Sequence, residues 1–164
     1  MDTDSELGLR RSLGRFATGV TVVTCCAPDG RACGITANSF SSVSLDPPLV
    51  LVCVGRNANT PGAIREASRY ALNFLRSGDA TSADRFAGSK GTKFEGVEWG
   101  AAPGGSPLLP GVLAWVECDV ERDVEAGDHT IFIGRVTAAD IEMASEPPLV
   151  HFGGRYHTVA ALEE

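Results

Sequence analysis

Six side chains able to hydrogen-bond a ligand crowd one short stretch of the chain: Thr36, Asn38, Ser39, Ser41, Ser42 and Ser44. The apolar run at 49–54, which follows them, has the composition of a buried strand. A hydroxyl buried without a partner costs about 1–3 kcal/mol, so a chain entering a core needs a reason to carry so many. Either these side chains form a solvated strand face, or they surround a polar ligand.

A second polar set follows the apolar run and begins the next predicted helix. Arg56 supplies a forked cation and Thr60 a hydroxyl, and Pro61 suits the first turn of a helix. A helix start also offers free N–H groups, so this place would suit a phosphate. Because helix caps need the same residue types, the residues alone allow two interpretations: a phosphate site, or a capped helix beside a solvated strand.

Composition excludes several classes of protein. The chain has 164 residues, 43% hydrophobic and 21% charged, which predicts a single soluble domain over 1–164, with residues 1–8 expected to be flexible. The run at 49–54 is far shorter than the roughly 20 residues of a membrane span, and the acidic start lacks a signal-peptide core, so we expect a cytoplasmic protein. A net charge of −7 argues against nucleic-acid binding.

Familiar catalytic motifs are missing from the sequence. The five cysteines show neither C-x-x-C nor zinc-type spacing, so we expect reduced thiols and no metal site. The two common phosphate loops and the G-x-S-x-G nucleophile elbow are also missing.

Hydropathy patterning predicts a mainly β protein with a few short helices. Strands are expected at 20–26, 34–44, 48–54, 70–75, 112–120, 130–138 and 149–157, and helices from about residue 3 to a stop at Gly19, at 60–68 and at 79–87. The segment 88–111 is rich in Gly, Pro and Ser and is predicted to be a long ordered loop. Short strands separated by turns favour a closed barrel.

The predicted strand at 112–121 raises the question of assembly. Its interior face would carry Val112, Ala114, Val116, Cys118 and Val120, and its outer face Glu117, Asp119 and Glu121. The outer face also carries Leu113 and Trp115, which need a cover. We expect that cover to be either the N-terminal helix, through Leu9, Leu13 and Phe16, or a second subunit.

Seven short motifs, by their order and spacing, resemble the short-chain flavin reductase family, the reductase components of two-component flavin-dependent monooxygenases. They are FATGVTVVT at 16–24, GITANSF at 34–40, SVSLDPPLV at 42–50, RFAG at 85–88, KF at 93–94, GDH at 127–129 and GGRY at 153–156. The resemblance implies an FMN-binding split β-barrel that forms a homodimer. It also implies that NADH or NADPH reduces FMN or FAD on the protein, and that reduced flavin diffuses to a partner monooxygenase.

The resemblance also assigns residues to the flavin. Thr36, Ala37, Asn38 and Ser39 would line the isoalloxazine ring and the ribityl chain, with Ser42 nearby. The phosphate would be held by Gly55, Arg56, Thr60 and the loop Phe86, Ala87, Gly88, Ser89 and Lys90. Relatives often carry a lysine and a serine where this chain has Arg56-Asn57-Ala58, so a hydroxyl is lost at Ala58.

The nicotinamide side of the site is assigned in the same way. Asp128 and His129 would contribute to the nicotinamide and flavin site, with His129 as the catalytic candidate, and Arg155 and Tyr156 would guard the same pocket. The residues alone also allow a plain turn histidine and an ordinary pair at the barrel rim.

Three other functions are compatible with the same architecture. One is an electron carrier that holds FMN tightly, the second is an oxidase of the pyridoxamine-phosphate type, and the third is a binding protein without catalysis. Flavin and nicotinamide carry the redox chemistry of a reductase themselves, so a lack of catalytic triads and metal ligands is what a reductase predicts.

Overall fold

The computed structural model describes residues 3–88 and 92–161 as a β-rich chain with three helices. The helices are α1 (Thr3–Leu13), α2 (Thr60–Ala67) and α3 (Ala80–Ala87), and a 3₁₀ turn at Ser77–Asp79 precedes α3. The strands are β1 (Thr18–Gly19), β2 (Thr21–Cys26), β3 (Ala32–Ala37), β4 (Ser41–Leu45), β5 (Pro48–Gly55), β6 (Arg69–Phe74), β7 (Gly100–Ala101), β8 (Pro107–Leu108), β9 (Ala114–Ala126), β10 (His129–Ile141), β11 (Val150–Phe152) and β12 (Arg155–His157).

Seven strands form one antiparallel sheet in the order β3-β2-β6-β9-β10-β5-β4. Two small sheets, β1-β11-β12 and β7-β8, accompany it. The large sheet does not close by strand pairing, because β3 and β4 remain its two ends. The expectation of a closed barrel is therefore wrong, whereas the mainly β, split-barrel fold is confirmed.

The predicted strand at 34–44 is wrong as one strand, because the chain bends at 38–40 and crosses between the two ends of the sheet. Before the bend β3 pairs with β2, and after it β4 pairs with β5. Ser39 sets the bend, since its hydroxyl donates to the Cys53 carbonyl over 2.8 Å and accepts from the Cys53 N–H over 3.1 Å. One serine thus ties the end of β3 to β5 across the split.

Apolar side chains form two cores. The first lies inside the sheet against α2 and includes Val52, Tyr70, Leu72, Phe132 and Ile64. The second lies under α3 and the long loop and includes Val22, Leu75, Phe86, Leu109 and Val112. Trp115 packs against the second core, so this aromatic ring finds its cover within the chain.

The N-terminal helix is not that cover. Leu9 is 48% exposed, Leu13 66% and Phe16 77%. The helix also ends at Leu13, earlier than the expected stop at Gly19, because Gly14 turns the backbone to accept a hydrogen bond from the Gly153 N–H. The apolar face of α1 therefore has no partner among the residues that the structure describes.

Glu117 corrects the predicted outer face of β9. The side chain is 1% exposed, and its carboxylate accepts hydrogen bonds from the N–H groups of Gly104 (2.7 Å) and Ser106 (3.0 Å). A loop that folds back over the sheet therefore supplies the donors that a buried carboxylate needs.

The predicted last strand at 149–157 is a hairpin of β11 and β12. Gly153 and Gly154 form its two-residue turn with φ of +60° and +79°, a region that glycine enters at no steric cost.

Two of the five cysteine thiols, those of Cys25 and Cys118, are buried. Burial raises the pKa of the Cys25 and Cys118 thiols to about 12, so both stay protonated at neutral pH. In the part of the chain that the structure describes, no helix is long and apolar enough to cross a membrane.

Candidate functional site

A pocket of about 220 Å³ opens at the split between β3 and β5. Its walls include Thr36, Ala37, Asn38, Ser39, Gly55 and His129, six of the residues singled out in the sequence. A Cβ built on Gly55 would meet no heavy atom within 4 Å, so a ligand can approach the backbone there. The outer edge of β3 pairs with no strand within residues 3–88 and 92–161, which leaves backbone N–H and C=O groups for such a ligand.

Three polar side chains of this wall already have protein partners. Thr36 donates to the Ala83 carbonyl over 2.7 Å, and the Asn38 amide donates to the Thr18 hydroxyl over 3.1 Å. Ser39 bonds the backbone of Cys53, as described above. The cluster of hydroxyls therefore shapes the wall first, and offers a ligand only its remaining lone pairs.

A second pocket of about 150 Å³ lies on the other side of the same wall. Thr36, Ala37 and Asn38 line it together with His151 and Tyr156. Burial, with a smaller contribution from Asp84, raises the pKa of Tyr156, so its phenol remains a donor at neutral pH. Arg155, in contrast, is exposed on the β11–β12 hairpin and does not line this pocket.

His129 lines the first pocket, with its side chain about half-exposed. Its Nδ1 lies 2.7 Å from Oδ1 of Asp128. The hydrogen bond to His129 holds the pKa of the Asp128 carboxyl below its usual range, so this group is an ionised acceptor. Nδ1 therefore carries the proton, and Nε2 is the nitrogen available to a ligand.

A larger pocket of about 510 Å³ lies at the other end of β3. Asn59 and Thr60 line it from the start of α2, and Gly34 from β3. Asn59 makes no side-chain capping bond, so its amide is free for another partner. These residues place the predicted phosphate-binding helix start beside the strand that leads to the split.

Sequence reasoning did not assign Lys93 to the site. Its ammonium donates to the carbonyls of Gly34 (3.1 Å) and Phe86 (2.9 Å), and it lines the larger pocket with Phe94. Burial lowers the pKa of Lys93 from its usual value. The signal that could have found it is the placing of both lysines of an acidic chain within residues 90–93.

Several other predicted residues lie away from these pockets. Phe86 is buried in the second core, Ala87 and Gly88 are exposed at the end of α3, and Ser42 is exposed on β4. The Arg56 guanidinium bonds the Gly127 carbonyl (3.2 Å) and pairs with Glu125 (3.4 Å), both on the β9–β10 hairpin. Ser89 and Lys90 lie outside the described residues.

The arrangement suits an elongated ligand with a flat polar end and an anionic end. Unpaired backbone groups and His129 surround one end, and a helix start and an ammonium the other. From Gly34 to Asn38 the strand advances about 13 Å, at roughly 3.3 Å per residue. Within residues 3–88 and 92–161 no cluster of three or more His, Cys, Asp or Glu side chains could hold a metal ion.

Residues 13–160 match the family model described as "Flavin reductase like domain". The chain is 45% identical over 137 residues to the stachydrine N-demethylase reductase subunit Stc3 of Rhizobium meliloti, covering 84% of the chain and 60% of that relative. Two further curated relatives are covered over 42% and 48% of their length, so the chain spans about half the length of these proteins.

Other relatives match over nearly their whole length. An NADH-dependent FAD reductase of Streptomyces globisporus is 41% identical, covering 98% of the chain and 89% of the relative. Among solved structures, the Streptomyces globisporus NADH:FAD oxidoreductase SgcE6, in complex with NAD and FAD fragments, superposes with a TM-score of 0.88 at 39% identity. That match covers 98% of the chain and 96% of the other structure.

Proposed function

Since the chain belongs to the family of flavin reductase like domains, we propose that it transfers a hydride from NADH or NADPH to FMN or FAD and releases the reduced flavin. A flavin-dependent monooxygenase would then take up the reduced flavin, as the names of relatives that are monooxygenase reductase components suggest. We infer a cytoplasmic location, in keeping with five cysteines of which none forms a disulfide in the structure.

One observation carries the proposal: the open split between β3 and β5, lined by residues 36–39, Gly55 and His129. The residues present fit a flavin, because the free edge of β3 offers alternating donors and acceptors and Gly55 permits close approach. The flavin, once bound, supplies the two-electron chemistry itself. The protein's contribution is therefore to bind, to orient and to exclude water.

His129 would act on the nicotinamide side. Its Nδ1 bonds Asp128, so Nε2 is the ring nitrogen left to meet the carboxamide of the nicotinamide. The protein would raise the rate chiefly by holding the nicotinamide carbon that donates the hydride about 3–3.5 Å from the flavin atom that accepts it.

The phosphate would bind where Asn59 and Thr60 begin α2. Lys93 lies across the same pocket and supplies positive charge, and free N–H groups of the helix start supply donors. The Arg56 guanidinium would have to leave its ion pair with Glu125 to bind the phosphate. Thr60 and Lys93 are thus better placed than Arg56 to meet the phosphate.

The protein would work as a homodimer. Leu13, Phe16 and Leu45 are 66%, 77% and 94% exposed, which is unusual for large apolar side chains on a monomer. Phe16 also lines an apolar pocket of about 460 Å³ with Phe40, Phe74, Leu113 and Leu149. A second copy of the chain would cover this surface.

NADH consumption in air, measured with FMN, FAD, riboflavin or no flavin, tests the function. We expect NADH to be oxidised only when a flavin is present. Absence of NADH consumption with all three flavins would refute the proposed activity.

A further inference from the structure

We propose that Arg56 is a positioning residue of the reductase reaction, whose guanidinium holds the turn that leads into His129 instead of binding the flavin phosphate. The inference rests on the proposed function, in which His129 meets the nicotinamide, and it adds the residue that determines where His129 lies. It starts from three contacts that run from this one arginine to the end of the β9–β10 hairpin.

The end of the β9–β10 hairpin has few other contacts. Residues 121–129 are all exposed, and the turn Gly127-Asp128 lies beyond the last pair between β10 and β5, which His129 makes. Among the described residues, β9 pairs with β6 only as far as Asp119, so the rest of β9 pairs with β10 alone. An exposed hairpin end with few buried contacts opens easily, so the position of His129 depends on the side chains that tie this end down.

Arg56 follows β5 directly and contacts the turn through both its main chain and its side chain. Its N–H donates to the Asp128 carbonyl over 2.9 Å, which continues the strand pairing by one bond. Its guanidinium donates to the Gly127 carbonyl over 3.2 Å and pairs with the Glu125 carboxylate at 3.4 Å. Because a guanidinium presents several N–H donors in a fixed fork, this one side chain can hold a carbonyl of the turn and a carboxylate of β9 at once.

A second arginine ties the same hairpin to helix α2. The Arg65 guanidinium donates to the Asp123 carboxylate over 2.7 Å and lies 3.7 Å from the Glu125 carboxylate. Glu125 therefore lies between two arginines, and charges in such a network hold their geometry better than an isolated exposed pair does. Arg65 contacts only the strand, whereas Arg56 contacts the turn itself, so Arg56 is the arginine that acts on the position of His129.

The same contacts leave Arg56 poorly placed for a phosphate. Its side chain lines neither the pocket at the split nor the pocket of about 510 Å³ where α2 begins. The two roles also affect different steps of the reaction. A phosphate ligand would determine the affinity for FMN, whereas a residue that positions His129 would determine the reaction with NADH, whichever flavin is bound.

The test compares FMN with riboflavin, which has no phosphate, in the wild type and in Arg56→Gln. Flavin titration gives the two Kd values, and rapid mixing with NADH gives kcat/KM for NADH with each flavin. Arg135→Gln is the matched control. That arginine also pairs across β9 and β10, with Glu121 at 2.9 Å, and its side chain is 45% exposed against 48% for Arg56, but it lies further along β10 from the turn.

Arg56→Gln should lower kcat/KM for NADH by about fivefold, the scale of one exposed ion pair with one hydrogen bond, and equally with FMN and riboflavin. The ratio of the two flavin Kd values and the unfolding temperature should stay at the wild-type values. Glu125→Gln should act in the same direction as Arg56→Gln. Arg56→Lys should recover only part of the activity, because an ammonium lacks the fork that holds two acceptors. Arg135→Gln should behave as the wild type.

A double variant tests whether Arg56 acts through His129. In a His129→Ala background, Arg56→Gln should lower kcat/KM for NADH no further, because the side chain that Arg56 positions is already gone. A role of Arg56 that does not involve His129 would instead give losses that multiply.

Weaker binding of FMN with unchanged binding of riboflavin would make Arg56 a phosphate ligand and overturn the inference. Wild-type kinetics of Arg56→Gln would overturn it as well, and so would losses that multiply in the double variant. All three results leave the wild type an active flavin reductase. A wild type that reduces neither flavin would refute the proposed function and the inference together.

Discussion

At the scale of single residues, the polar cluster at 36–44 holds the fold together and also lines the candidate site. The hydroxyls of Ser39 and Thr36 donate hydrogen bonds to protein carbonyls, and these bonds hold the wall of the split in place. In the proposed site, the ligand would then meet mainly the backbone edge that these side chains position. The same residue types therefore serve the fold and the site together.

His129→Ala tests the nicotinamide role. Because Asp128 bonds Nδ1 and Nε2 would face the nicotinamide in the proposed site, the variant should raise the KM for NADH or slow hydride transfer by about tenfold, as loss of a positioned polar contact does, with flavin Kd unchanged. Rapid-mixing kinetics measure both steps. His157→Ala is the control, since that ring bonds Phe152 on the β11–β12 hairpin. Reductive kinetics equal to wild type would make His129 a plain turn residue.

Ser39→Ala tests the tie across the split. The variant leaves the Cys53 N–H and C=O without their partner, so we expect a loss of about 2 kcal/mol in the free energy of unfolding and weaker flavin binding. Urea unfolding and flavin titration measure the two effects. Ser41→Ala, whose exposed hydroxyl bonds only the adjacent Ser42 carbonyl, should change neither. If Ser39→Ala unfolds at the wild-type urea concentration, the hydrogen bonds between Ser39 and Cys53 do not stabilise the fold.

At the scale of elements, the free edge of β3 and the packing of α3 shape the candidate site. Gly34 is the point of closest approach: a Cβ there would lie 3.1 Å from the Phe86 ring and 3.2 Å from the Phe94 ring. Helix α3 and the loop at 92–95 therefore depend on a glycine in β3.

Two glycine substitutions separate packing from binding. Gly34→Ala forces the aromatic rings apart and should cost about 1–3 kcal/mol of stability. Gly55→Ala places its methyl group in open space, so it should leave thermal stability near wild type and weaken flavin binding. Thermal unfolding measures the stability of both variants, and flavin titration measures their flavin affinity. A Gly55→Ala protein with wild-type flavin affinity would place the ligand elsewhere.

Much of this architecture follows from sequence patterning, and the exceptions have local causes. Strand β5, the β9–β10 pair and helices α2 and α3 follow from hydropathy, and residues 36–39 and His129 from the motifs that carry the family resemblance. The bend at 38–40 and the burial of Glu117 could not be predicted in this way, because each depends on a partner distant in the sequence. Lys93 was missed for the same reason, since its partners on Gly34 and Phe86 exist only after folding. The hairpin at 150–157 is local, and its Gly153-Gly154 pair is a turn signal that the strand prediction passed over.

At the scale of the whole molecule, several large apolar side chains are left uncovered by the elements within residues 3–88 and 92–161. Helix α1 presents Leu13 and the segment after it presents Phe16, and β4 presents Leu45 at the end of the sheet. A second copy of the chain would bury these side chains.

Light scattering after size-exclusion chromatography tests the assembly. We expect twice the mass of the chain at micromolar concentration, and a shift toward the monomer in Phe16→Asp, because burying an unpaired carboxylate is costly. Val124→Asp is a suitable control, since Val124 is 42% exposed on the distal part of the β9–β10 hairpin. A monomer mass for the wild type would refute the homodimer.

We propose that this chain turns over free flavin with electrons from NADH. Anaerobic mixing of a trace of protein with NADH and excess flavin, followed by absorbance of both reactants, tests it most directly. We predict that each NADH oxidised reduces one flavin, and that reduction continues far beyond one flavin per protein chain. Reduction that stops at one flavin per chain would identify a carrier with tightly held flavin, and NADH oxidation without flavin reduction would contradict the account altogether.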